Sequence, residues 1–196
     1  MLTTFHAAMS RSSRLLWLIE ELEAPYRLVP ITIARPDGTG GPDGTNPHPL
    51  RQVPCVLDDG ELVVESLAIW LHLADAYPAA GLASKVGDPE RARYMGWMGA
   101  ATAVLEPVVL AARDGGIDTD RVTHARLWLS ERIEAALAAW PWLLGPGFSA
   151  VDVVYASLIA YFPDSVVMSE RIGDWLARCT ARPALQRARD RDQAAP

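Results

Sequence analysis

Apolar positions in the first eighty residues alternate between two periods. Residues 2–6 and 26–33 are short runs rich in β-formers or apolar residues, and each reads as a strand. Between them Leu15, Leu18, Ile19 and Leu22 fall at i, i+3, i+4 and i+7, with Glu20, Glu21 and Glu23 on other faces. That spacing predicts an amphipathic helix, and Ser12 or Ser13 can cap its start. Residues 53–57 and 61–64 are two further apolar runs joined by Asp58-Asp59-Gly60, a hairpin signal. A second helix is predicted from Glu65-Ser66 to just before Pro78. The order β-α-β implies a parallel pair with a right-handed crossover, and the hairpin adds an antiparallel pair.

Residues 35–50 hold four Gly and four Pro, which makes a long helix there implausible and predicts a loop. Loops of this length in a compact domain are often functional. Residues 78–87 read as a linker. Beyond it the pattern is helical: 88–113, 120–140, 149–162, 165–181 and a short tail from Pro183. Asp88-Pro89 looks like a cap followed by proline at the first helical position, and Pro107 should kink the helix it lies in. The expected architecture is an α/β domain over residues 1–79 and an all-helical domain over 88–196.

Composition narrows the function. Of 196 residues, 50% are hydrophobic and 21% charged, an ordinary balance for a folded chain. The net charge is −6 with no long basic stretch, which argues against general nucleic-acid binding. The longest apolar run, 153–162, is about half of the ~20 residues a bilayer span needs, so no membrane partner is expected. Two cysteines, Cys55 and Cys179, are too few for a disulfide scaffold, and a reducing cytoplasm is the expected compartment. Cys55 reads as a buried structural thiol. The four histidines show no metal-ligand spacing, and no metal is expected.

Three patches in order carry a resemblance: Ser10-Arg11-Ser12-Ser13-Arg14 leading into LLWLIEEL; HPLRQVPCVLDDGELVVESLAIWLHLADAYP over 48–78; and GPGFSAVDVVYASLIAYF over 145–162. Together they resemble the cytosolic glutathione S-transferase family, and the first patch its bacterial serine-type members. The resemblance spans nearly the whole chain. It implies a thioredoxin-like N-terminal domain, an all-α C-terminal domain, a homodimer, and glutathione as co-substrate in detoxification.

The resemblance also implies roles for particular residues. The family's chemistry lowers the pKa of the glutathione thiol, ~8.5 when free, so that more of it is thiolate. A hydroxyl beside a helix N-terminus can stabilise that anion. Ser10 is the first candidate for this role and Ser12 its rival, two positions on. Arg11 and Arg14 can add positive potential nearby, and Arg14 fits a structural salt bridge equally well. Pro54 is expected in cis, with the backbone of Val53 pairing with the glutathione peptide. Ser66, opening a helix, is expected to grip the γ-glutamyl carboxylate, and Glu65 to meet its ammonium group directly or through a partner subunit. Arg51-Gln52 stands where the family usually has Gly-Lys. Gln52 is a neutral donor for the glycyl carboxylate, and Arg51 restores the charge if its side chain turns inward. Ala7, Met9, Tyr94, Trp97 and Met98 are candidates for lining a second-substrate pocket. Ser149-Ala150-Val151-Asp152 fits a capping box opening a buried helix, a folding motif. The activity so implied is attack of the glutathione thiolate on an electrophilic apolar substrate. Glutathione-dependent reduction of peroxides or disulfides uses the same thiolate, and a non-catalytic binding protein can share the fold.

Overall fold

The computed structural model of the protein describes residues 1–115 and 119–194. The chain divides into two units: Met1–Ala80 together with the stretch from Pro183 onward, and Gly81–Arg182.

In the first unit, strand β1 (Leu2–His6) leads into helix α1 (Arg11–Leu22) and strand β2 (Tyr26–Pro30). Strands β3 (Cys55–Asp58) and β4 (Glu61–Val64) form the hairpin, and α2 (Ser66–Ala76) follows. The sheet order is β2-β1-β3-β4, with β1 and β2 parallel and the other pairs antiparallel. This mixed sheet is the thioredoxin-like arrangement. Residues 35–50 form neither helix nor strand; short Asp37–Thr39 and Asp43–Thr45 side-chain turns shape them.

The periodicity of α1 predicts one buried face, yet Leu16 and Trp17 are buried as well as Leu15, Leu18, Ile19 and Leu22. The reason is a second partner. Helix α8 (Pro183–Ala194) packs along α1, and Arg187 bonds the Glu20 carboxylate at 2.8 Å and the Glu20 carbonyl at 2.9 Å. The expectation of a helical domain running from 88 to the end is therefore corrected: the tail from Pro183 belongs with the sheet.

The second unit is helical: α3 (Arg91–Ala100), α4 (Glu106–Arg113), α5 (Asp120–Ala139), α6 (Ala150–Tyr161) and α7 (Glu170–Thr180). A π-helical turn, Ala101–Leu105, joins α3 to α4 just before Pro107, where the missing N–H breaks the regular ladder. The combined run 91–113 is long and apolar enough to cross a bilayer by length and composition. Its Tyr94, Trp97, Met98, Leu105 and Val108 are buried, as positions of a core helix are. Two starts differ from expectation. Asp88 accepts the Lys85 N–H and closes a turn, so α3 begins at Arg91. Ser169, not Ser165, caps α7, which places Ile172, Trp175 and Cys179 inward.

Helix α6 is the centre of this unit, buried from Ala150 to Ile159. The expected capping box is present. Asp152, fully buried, also accepts from Leu143 N at 3.0 Å and Trp175 Nε1 at 2.9 Å. Burial pushes its pKa up against the pull of these bonds.

Candidate functional site at one end of the sheet

Strand register decides which loops meet. Phe5 pairs with Cys55, and Cys55 with Val64, so the chain after β1, before β3 and after β4 emerges at one end of the sheet. His6 pairs with Pro30, which brings the chain after β2 to the same end. The Ser10 turn, Val53-Pro54, Glu65-Ser66 and Arg35 therefore share it.

The β1–α1 turn is organised by hydroxyls. Met9 has a left-handed backbone, φ 52°, and is largely exposed. Ser10 is the N-cap of α1 and half-buried. Its Oγ accepts from Ser12 N at 3.1 Å, lies 2.8 Å from Ser12 Oγ and donates to the Ala7 carbonyl at 2.7 Å. Ser13 Oγ accepts from Ser10 N at 3.1 Å. Ser12 is completely buried. Its Oγ lies 2.8 Å from His6 Nδ1 and accepts from Ala7 N at 3.2 Å. A hydroxyl has one proton. Burial holds His6 below its usual pKa, against the pull of Asp192, so the ring is neutral at pH 7. His6 Nε2 lies 3.2 Å from Asp192 Oδ1; a ring proton on Nε2 leaves Nδ1 to accept from Ser12, whose Oγ also lies 3.2 Å from the Ala7 carbonyl. Ser12 has no exposed surface, and its Oγ is engaged by His6, Ala7 and Ser10. Ser10 alone of the two reaches solvent.

The Val53–Pro54 bond is cis. Val53 packs partly against Phe5, Ile31 and Cys55. Glu65 is exposed and has φ 70°, a conformation non-glycine residues rarely hold and one that clusters at binding sites. No side chain caps α2, whose N-terminus opens at Ser66.

Arg51 does not turn inward. Its guanidinium bonds the Asn46 carbonyl, with the Gly44 carbonyl 3.5 Å away, and so latches the 35–50 loop. Asn46, fully buried, ties the same loop to the strand entry: Nδ2 donates to the Gln52 carbonyl at 3.0 Å, and Oδ1 accepts from His48 N at 3.0 Å and from the Cys55 thiol at 3.2 Å. Burial pushes the Cys55 thiol up to about 11, and with no exposed surface it is the structural thiol expected. Gln52 and Arg11 are exposed.

Tyr94, Trp97 and Met98 are buried in the helical unit, where Trp97 packs edge-on to Tyr155 and faces Arg132 at 4.0 Å. Packing accounts for all three. Ala7 is buried, leaving Met9 the only exposed member of that set.

Sequence reasoning missed three residues. Arg35 donates to the Ala8 carbonyl at 2.7 Å, placing a cation two residues from Ser10. His6 lies under the turn. Asp192 reaches it from α8, accepting from Met9 N at 3.3 Å and from the Ser13 hydroxyl. No sequence spacing signals contacts between residues so far apart. Among the described residues, no group of three or more His, Cys, Asp or Glu could hold a metal ion.

Comparison with known proteins adds to this geometry. Residues 1–75 match the family model described as glutathione S-transferase, N-terminal domain. Glutathione S-transferase 3 of Schizosaccharomyces pombe is 36% identical over 112 residues. Residues 1–75, which hold the four-stranded sheet, are thus similar to the N-terminal domain of glutathione S-transferases. That alignment covers 57% of this chain and 46% of the yeast protein, so the chain aligns with about half of that relative's length. GstA of Escherichia coli O157:H7 is 24% identical over 178 residues, covering 87% of this chain and 88% of that protein. Among solved structures, the theta class glutathione S-transferase of Xanthomonas axonopodis pv. citri, with glutathione bound, superposes with a TM-score of 0.71 at 29% identity, covering 95% of this chain and 96% of that one.

Proposed function

We propose that the protein is a glutathione transferase of the serine type, with Ser10 donating to the glutathione sulfur. The observation that carries this reading is the position of Ser10: an N-cap hydroxyl, half-open to solvent, with its proton held only by a neighbouring carbonyl and hydroxyl. Rotation about its Cβ–Oγ bond redirects that proton outward with the capping oxygen in place, while the α1 N-terminus favours negative charge at the same place. Lowering the thiol pKa from ~8.5 to ~7 corresponds to about 2 kcal/mol of thiolate stabilisation.

The remaining roles follow the sheet end. The Val53 backbone pairs with the peptide, Ser66 and the open α2 N-terminus take the γ-glutamyl carboxylate, and Glu65 takes its ammonium group. Gln52 and Arg35 serve the glycyl carboxylate in place of the Arg51 side chain, which the loop occupies. The thiolate then attacks an electrophilic apolar substrate: an S–C bond forms, and the leaving group departs with its electron pair or the adduct takes up a proton. The glutathione bound in the Xanthomonas relative supports the co-substrate. The reading carries with it a homodimer and a cytoplasmic setting, both testable by sedimentation and fractionation.

The test is an ultraviolet titration of thiolate absorbance for glutathione with the purified protein. A thiolate signal appearing well below the free thiol's pKa, and lost in Ser10→Ala, is expected. Titration like free glutathione would reject the reading in favour of a binding protein on this fold, and product analysis separates conjugation from peroxide or disulfide reduction.

A further inference from the structure

We infer that Asp192, on the C-terminal helix α8, is a positioning residue for the Ser10 turn; the inference rests on the reading of Ser10 proposed above. Asp192 Oδ1 holds the turn on both flanks of Ser10. On one side it accepts the N–H of Met9, at 3.3 Å. Met9 has a left-handed backbone, which a non-glycine residue keeps only when its surroundings fix it. On the other side Oδ1 accepts the Ser13 hydroxyl proton, and the Ser13 oxygen in turn accepts the Ser10 N–H at 3.1 Å. The same oxygen lies 3.2 Å from His6 Nε2, on the ring whose Nδ1 is 2.8 Å from Ser12 Oγ. One carboxylate oxygen thus holds, directly and through the Ser13 hydroxyl, the two successive peptide planes that lead into Ser10, and the helix that carries it is seated separately by Arg187 on Glu20.

Serine, histidine and aspartate in line invite comparison with a hydrolytic triad. Ser12 is completely buried, so no carbonyl substrate reaches its oxygen, and the alignment is a scaffold rather than a nucleophile. The other charged groups of the turn are the Arg35 guanidinium on the Ala8 carbonyl and Arg11 and Arg14 in the first turn of α1. None of these cations supplies an acceptor for the Met9 N–H or the Ser13 hydroxyl.

The experiment compares wild type, Asp192→Ala, Asp192→Asn and Arg187→Ala. Two readouts are taken: hydrogen exchange in the peptide spanning residues 7–14 without ligand, and the midpoint of the glutathione thiolate titration. Asp192→Ala removes the acceptor, so exchange should quicken about tenfold and the thiolate midpoint should move toward the free thiol. Asp192→Asn keeps an oxygen for both donors and should restore both readouts to near wild type. Arg187→Ala loosens α8 away from the turn and should leave the thiolate midpoint in place. If Asp192→Ala changes neither readout more than Arg187→Ala does, the positioning role is wrong. If the wild type shows no thiolate signal at all, the transferase reading falls, and the exchange data alone still decide whether Asp192 holds the turn.

Discussion

Removing the Asp152 carboxylate is the sharpest test of how the helical unit is held together. Four donors converge on it: Leu143 N at 3.0 Å, Trp175 Nε1 at 2.9 Å, Ser149 N at 2.9 Å and Ser149 Oγ at 2.8 Å. They come from the turn before α6, from its cap and from α7, and the carboxylate has no exposed surface. Asp152→Ala leaves these donors facing a small cavity, and each unmet buried donor costs about 1–3 kcal/mol. The substitution also relieves the desolvation that raises the Asp152 pKa, which offsets part of that loss. The net expectation is about 3–5 kcal/mol, the range for breaking a buried charged network from one side. With a urea m-value of about 2 kcal/mol/M, the unfolding midpoint should fall by about 2 M. Tryptophan fluorescence is the assay, because Trp175 is both a partner and a reporter. Asp152→Asn keeps one oxygen for Leu143 and Trp175 but turns an amide donor toward Ser149 N–H, so it should lose about half as much. A midpoint for Asp152→Ala within about 0.5 M of wild type would refute the reasoning.

Other outcomes follow from the first unit. Ser10→Ala should lower kcat/KM about 30-fold, the equivalent of about 2 kcal/mol, whereas Ser12→Ala should lower the unfolding midpoint through its lost contacts to His6 and Ala7. His6 has its pKa lowered by burial, so below its unfolded value of ~6.5 the unfolded chain binds a proton that the folded chain refuses. Stability should therefore fall as pH drops through that window, and His6→Gln should flatten the slope measured by urea midpoints from about pH 7 to about pH 5. Cys55 and Cys179 are both fully buried, and Cys55 has its pKa raised, so a thiol reagent should label neither until denaturant is added. Asn46→Ala should raise the KM for glutathione by releasing the Gln52 carbonyl and the His48 N–H.

What the sequence made legible was local. Strands β1 and β4 and helix α2 fall where their runs and punctuation put them, because alternation, a hairpin dipeptide and a proline stop act within a few residues. The loop over 35–50 was equally plain, since four prolines and four glycines exclude regular structure. Helix starts were less secure because cap residues are plentiful. Asp88 looks like a cap, and the run over 165–181 does not mark its own start; the Ser169 hydroxyl accepting the Ile172 N–H sets it. Arg51 shows the limit for the site. Its charge was readable, but whether it turned toward a ligand depended on the loop carbonyls it met.

The choice between Ser10 and Ser12 shows why local reading ends where it does. Both serines sit at the start of the same helix, and each can cap it. What separates them is the layer beneath. His6 at the end of β1 takes the Ser12 hydroxyl, and Asp192, 186 residues beyond His6 in sequence, faces the other side of that ring. A residue's neighbours on its own helix follow from spacing, but the partner that claims its proton is set by which distant element packs there. Here that element is α8, whose polar sequence shows only two buried residues, Ala184 and Ala188, and gives no sign of a docking face. The environment that distinguishes the two serines thus includes a carboxylate on a helix that shows only two buried alanines.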